Sequence, residues 1–92
     1  MTDLEKAVAR SLRISSKSAE YLLPEIQRNI ETARVELNRS GVPQSVIDES
    51  NSLVEDAIIT YCLVRMGEAT DRSWYEEVFR TQQDNIRKSY EE

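Results

Sequence analysis

The sequence predicts an all-α protein, a small four-helix bundle with one short helix, three long ones and no strand. Three observations carry this reading. Leu53–Met66, LVEDAIITYCLVRM, is the longest apolar run, and its residues recur at helical rather than alternating spacing. Gly and Pro number only two each, which disfavours a strand-and-turn architecture. The remaining chain falls into stretches with apolar residues three and four apart, separated by short polar links. With 92 residues, 39% of them hydrophobic and 32% charged, the composition is that of a single soluble domain over residues 1–92.

The first helix is expected over residues 3–12. Thr2-Asp3-Leu4-Glu5 has the form of a capping box, and Leu4, Val8 and Leu12 follow at four-residue spacing with Ala7 beside them. Three turns are marginal alone, so this helix must dock, as a lid on the other three, with Ile14 tucking into the core behind it. Ser15-Ser16-Lys17-Ser18 is a polar link rich in N-cap candidates. The second helix is read from Ser18 to Asn38, with Leu22, Ile26, Ile30, Ala33 and Leu37 on its buried stripe and weak ion pairing between Arg28 and Glu31. Pro24 removes a hydrogen bond and clashes with the preceding turn, so a distortion is expected there. Ser40-Gly41 ends the helix, with Gly41 as the residue beyond the cap.

Pro43 suits a first helical position, and Val46 and Ile47 give a short turn that is either separate from the next helix or continuous with it. Asp48, Ser50 or Asn51 can cap the central helix, Leu53–Met66. At about 100° per residue, Leu53, Ala57, Tyr61 and Val64 form one stripe, widened by Val54 and Ile58 and carried round by Cys62 and Met66. Ile59 and Leu63 fall on the opposite side. A helix apolar nearly all round requires cover on more than one side. Its surplus face, Ile59 and Leu63, is therefore a candidate contact with a partner. Gly67 stops this helix. Thr70 or Asp71 then caps a last helix over Arg72–Tyr90, lined by Tyr75, Phe79, Gln82, Ile86 and Tyr90, with Trp74 and Val78 on the flank and thinner burial after Phe79.

Function classes narrow on what the chain lacks. It has no histidine, hence neither the commonest general base nor the commonest metal ligand. Its single cysteine, Cys62, sits in the apolar run and reads as a packed thiol. The adjacent acidic pairs, Asp48-Glu49, Glu55-Asp56, Glu76-Glu77 and Glu91-Glu92, diverge by about 100° on a helix and build no two-carboxylate site. The two glycines are isolated, so no phosphate loop exists. No enzyme activity and no cofactor is expected. A net charge of −5 opposes non-specific DNA binding. In the last helix Arg72, Arg80, Arg87 and Lys88 are diluted by Glu76, Glu77 and Asp84, which weakens a helix-turn-helix reading. No run is long enough for a membrane span, and MTDLEKAVAR lacks the apolar core of a secretory signal, so synthesis in the cytoplasm is expected. Trp74 is a candidate partner anchor beside Tyr75. Arg65 and Arg72 bracket Gly67 and can hold an acidic partner surface, although a cation at a helix C-terminus is favoured by the dipole alone.

Several of these residues together resemble a family. NSLVEDAIITY (Asn51–Tyr61), Gly67, a short acidic loop with Asp71, WYEEVF (Trp74–Phe79) and NIRKSY (Asn85–Tyr90) look like the small head–tail connector, or head-completion, proteins of tailed bacteriophages, sometimes labelled as DNA-packaging proteins. Ala57-Ile58, Tyr61, Gly67, Tyr75 and Ile86-Arg87-Lys88-Ser89-Tyr90 take the family's places, and Leu12-Arg13-Ile14 is similar to its opening turn. Ser15–Ser18 departs from the acidic residues that often follow that turn, and no contact of a longer C-terminal arm is expected. The resemblance implies a non-catalytic virion protein. It would be made in the host cytoplasm and located at the head–tail interface. A homo-oligomeric ring would sit beneath the portal protein, extend the DNA channel without sequence-specific binding, and offer a docking surface to tail or stopper proteins. The competing reading is a small, acidic, antitoxin-like regulatory binder that masks a basic partner.

Overall fold

The computed structural model describes residues 1–90. Among them lie five helices, α1 (Asp3–Leu12), α2 (Ser16–Arg39), α3 (Gln44–Glu49), α4 (Ser52–Met66) and α5 (Arg72–Ser89), with a 3-10 turn at Ala69–Asp71 and no strand. The all-α bundle is therefore as expected, and the short turn after Pro43 is a helix in its own right.

Local chemistry sets most boundaries. Thr2 and Glu5 form the reciprocal capping box of α1: the Glu5 N–H donates to Thr2 Oγ1 at 3.1 Å and the Thr2 N–H to Glu5 Oε1 at 2.7 Å. Arg13 closes α1 in the left-handed region, φ 58°, and Ile14 N–H bonds back to Ala9 O, folding Ile14 onto the core. Ser15 caps α2 through the Ser18 N–H. Gly41, φ 111°, ends α2, and Val42 N–H reaches Leu37 O at 3.1 Å. Val42 and Leu37 are both buried, which completes the hydrophobic contact of this C-terminal motif.

Some boundaries differ from expectation. The helix α2 begins two residues early and is unbroken through Pro24. Pro24 and Glu20 lie on the solvent side, where water can take the Glu20 carbonyl that loses its N–H partner. Pro43 is the N-cap of α3 rather than its first residue, because its ψ of 144° is extended. Ser50, φ 49°, breaks the chain before α4, and of the three expected cap candidates Asn51 is the one that caps it, accepting from the Val54 N–H at 3.0 Å. Glu31 pairs with Arg34, not Arg28. Asp71 stands at the N-cap of α5 but makes no side-chain cap, since the 3-10 turn already presents the backbone in helical form.

The central position of α4 holds. It packs against α1, α2 and α5, while α1 also packs on α2. With Leu4, Val8 and Ala9 buried, α1 is a wall of the core rather than a lid. Helix α5 does not complete a symmetric bundle. It lies along α4 and touches α2 near its far end, where Gln83 Nε2 donates to Glu36 O at 3.4 Å. The core is built from Ile26, Ala33 and Leu37 of α2, Ile47 of α3, and Val54, Ala57, Ile58 and Cys62 of α4, all fully buried. Two expectations on the flanks are corrected. Leu53 is 49% exposed while its neighbour Val54 is 0% exposed, because the first turn of α4 is covered on the Val54 side and open on the Leu53 side. Ile86 is 1% exposed, so α5 stays packed as far as that residue, whereas Tyr90 beyond it is 43% exposed with its Oη accepting from Asn51 Nδ2 at 2.9 Å.

Candidate partner interface

The five candidate residues do not form one patch. Ile59 is half-buried and packs against the core, because α4 is covered from more sides than its wheel suggests. Leu63, also half-buried, opens instead into a groove. Arg65 is exposed, with no ion pair among the described residues. Arg72 turns back, its Nε donating to Val64 O at 3.2 Å, and so serves one of the free carbonyls at the end of α4. Trp74 is 61% exposed and meets Tyr75 edge-on, ring centroids 5.2 Å apart.

The groove lies where α1 and α4 end and where α2 and α5 begin. Its volume is about 670 Å³, and it is lined by Leu12, Ile14, Leu22, Leu63, Met66 and Tyr75 together with polar groups of the α1–α2 link and the 3-10 turn. The sequence builds it directly. Arg13 in the left-handed region turns the chain away at the end of α1. Gly67 does the same for α4, with its N–H on Leu63 O at 2.8 Å. The two termini splay before the next helices can close over them, so apolar side chains that would meet in a longer bundle remain half-covered. Of the candidate contact residues, only Leu63 lines this groove. Leu12, Ile14, Leu22 and Met66 pack against the core, as expected, and with Tyr75 also line the groove, which only the fold brings together.

The titratable groups offer little chemistry. Burial pushes the Cys62 thiol up to about 12, which disfavours its thiolate form at neutral pH. Glu5 is the one buried carboxylate among the described residues, and it is engaged in the α1 cap. Among the described residues no group of three or more His, Cys, Asp or Glu is placed to hold a metal ion. No described helix is long and apolar enough to cross a membrane. No family model, curated protein or solved structure matches the chain.

Proposed function

We propose that this chain is a passive structural adaptor, working by helix-to-helix association and not by catalysis. Its setting would be the head–tail interface of a tailed virion, as a ring under the portal that continues the DNA channel and receives tail or stopper proteins. The observation that carries this reading is that the most apolar helix is not wholly enclosed. Leu53 at its start is half-exposed, and Leu63 and Met66 at its end open into a groove lined by further apolar residues. Half-covered apolar surface at both ends of one helix is what supports an association role. The residue pattern from Asn51 to Tyr90 supplies the virion setting. The net charge of −5 suits a wall past which DNA slides without sticking.

The test is electron microscopy and native mass spectrometry of the chain mixed with portal-bearing capsid vertices. The expected result is added ring density at the vertex and a defined number of bound copies. A chain that leaves the vertex bare, and instead forms a small fixed complex with one basic protein, would overturn the proposal in favour of a masking binder.

A further inference from the structure

Helix α2 has a second face that the fold leaves open. At about 100° per residue, Lys17, Tyr21, Pro24, Arg28 and Val35 fall within an arc of ~60°, opposite the stripe that buries Ile26, Ala33 and Leu37. All five are exposed, Tyr21 by 86% and Val35 by 55%. They follow one another at spacings of four, three, four and seven residues, the repeat by which one helix meets another along a seam. Tyr21 and Val35 stand two heptads apart, about 21 Å along the axis, and give that seam an anchor toward each end.

The charges on this helix single out what lies on the seam. The three ion pairs among the described residues, Glu31–Arg34, Glu36–Arg39 and Asp84–Arg87, each join an acid to the arginine three residues on. Glu25 and Arg28 have the same order and spacing, and both are exposed, yet neither is in an ion pair among the described residues. Lys17 is unpaired in the same sense, and Glu36 engages Arg39 through Oε1 alone. These groups are arranged about one point. Lys17 and Glu36, Glu25 and Arg28, and Tyr21 and Thr32 all share a midpoint between Ile26 and Gln27. Opposite charges at equal distances on either side of one point make a helix complementary to an antiparallel copy of itself.

We propose that the outer face of α2 pairs with the same face of a second copy, antiparallel, about a two-fold axis at that midpoint. Glu25 of each copy meets Arg28 of the other, and Lys17 meets the free oxygen of Glu36, so each charge pair forms twice. Tyr21 lies over Thr32 of the other copy, with Val35 one turn beyond. A parallel pairing in register would set Arg28 on Arg28 and Glu25 on Glu25, and is opposed by like charge. The contact is isologous and closes at two copies. It goes beyond the adaptor reading and does not rest on it, since it uses none of the residues that line the groove.

The experiment is sedimentation equilibrium of the full chain and its variants, with circular dichroism as the check on folding. Wild type is expected to pass from monomer to dimer below ~1 mM, and to dimerise about tenfold more weakly when salt rises from ~0.05 to ~0.5 M. Glu25→Arg and Arg28→Glu should each weaken the dimer by at least ~tenfold with unchanged helicity, because both positions are exposed. The double variant Glu25→Arg/Arg28→Glu should restore it, since the exchange keeps opposite charges facing across the two-fold. Tyr21→Asp should stay monomeric. Tyr21→Cys mixed with Thr32→Cys should form a disulfide-linked dimer faster than either alone. A wild-type chain that stays monomeric to ~1 mM overturns the proposal, as does a double variant no better than its parents. A monomeric chain in which Tyr21→Asp abolishes binding to the capsid vertex assigns the face to another protein and overturns it equally, while leaving the adaptor reading intact.

Discussion

Glu5 and Gln27, 22 residues apart, are joined by a 3.0 Å hydrogen bond in which Gln27 Nε2 donates to Glu5 Oε2. The other carboxylate oxygen accepts from the Thr2 N–H, so one side chain both caps α1 and ties it to α2. The backbone donor of Thr2, and after it Gln27, hold the Glu5 carboxyl below the ordinary glutamate value of 4.5. A folded-state value below the unfolded one means stability that is fully present above about 4.5 and is lost as pH falls through the folded value. Glu5→Gln should therefore lower stability by about 1 kcal/mol at neutral pH. Urea denaturation of both proteins across pH checks this. The gap should narrow as pH drops below 4.5, and a gap that widens there contradicts the assignment.

Cys62 is fully buried in α4, and desolvation alone raises its thiol to about 12. In the native state it should resist thiol reagents at neutral pH and react only through unfolding. The labelling rate, measured against denaturant, should rise with the unfolded fraction. Cys62→Ser places a hydroxyl among apolar neighbours and should cost about 1–3 kcal/mol.

Gly67 is fixed by close approach and not by its dihedral angles, which any residue can adopt. A Cβ there would stand 2.5 Å from Leu63 O, the carbonyl that its own N–H engages. Either that hydrogen bond or the exit from α4 must move. Gly67→Ala should lower the melting temperature by ~4–8 °C, the equivalent of about 1 kcal/mol in a domain of this size. Circular dichroism on heating measures it directly.

Sequence periodicity identified the helices because the interior requires apolar residues at 3.6-residue spacing, and the caps located most ends because unpaired backbone groups need partners. Thr2, Ser15, Gly41 and Gly67 all stand at or beside helix ends. Pro24 misled because its cost depends on which way the freed carbonyl faces, and a wheel does not say where water is. Leu53 and Ile59 exchanged roles for a related reason. Position on α4 identifies neighbours within the helix, whereas burial depends on which of its sides α1, α2 and α5 cover. The groove was least legible of all. It arises from two chain reversals, at Arg13 and Gly67, that stand more than fifty residues apart in sequence and meet only in the fold.

Tyr61 and Phe79 carry the docking of α5. Their rings lie 5.2 Å apart at 59°, and both residues are buried. Helix α5 packs mainly on α4, and its first half is fastened there by this aromatic pair together with the Arg72–Val64 hydrogen bond. The second half keeps independent anchors in Ile86 and in the Asn51–Tyr90 hydrogen bond. Phe79→Ala should cost about 3–5 kcal/mol, the range for truncating a buried phenylalanine. The loss should be uneven along the helix. Amide hydrogen exchange should show residues 72–82 losing protection first, while α1, α2 and α4 retain theirs. Uniform loss across the whole chain would instead mean that α5 unfolds only together with the other helices, as one cooperative unit.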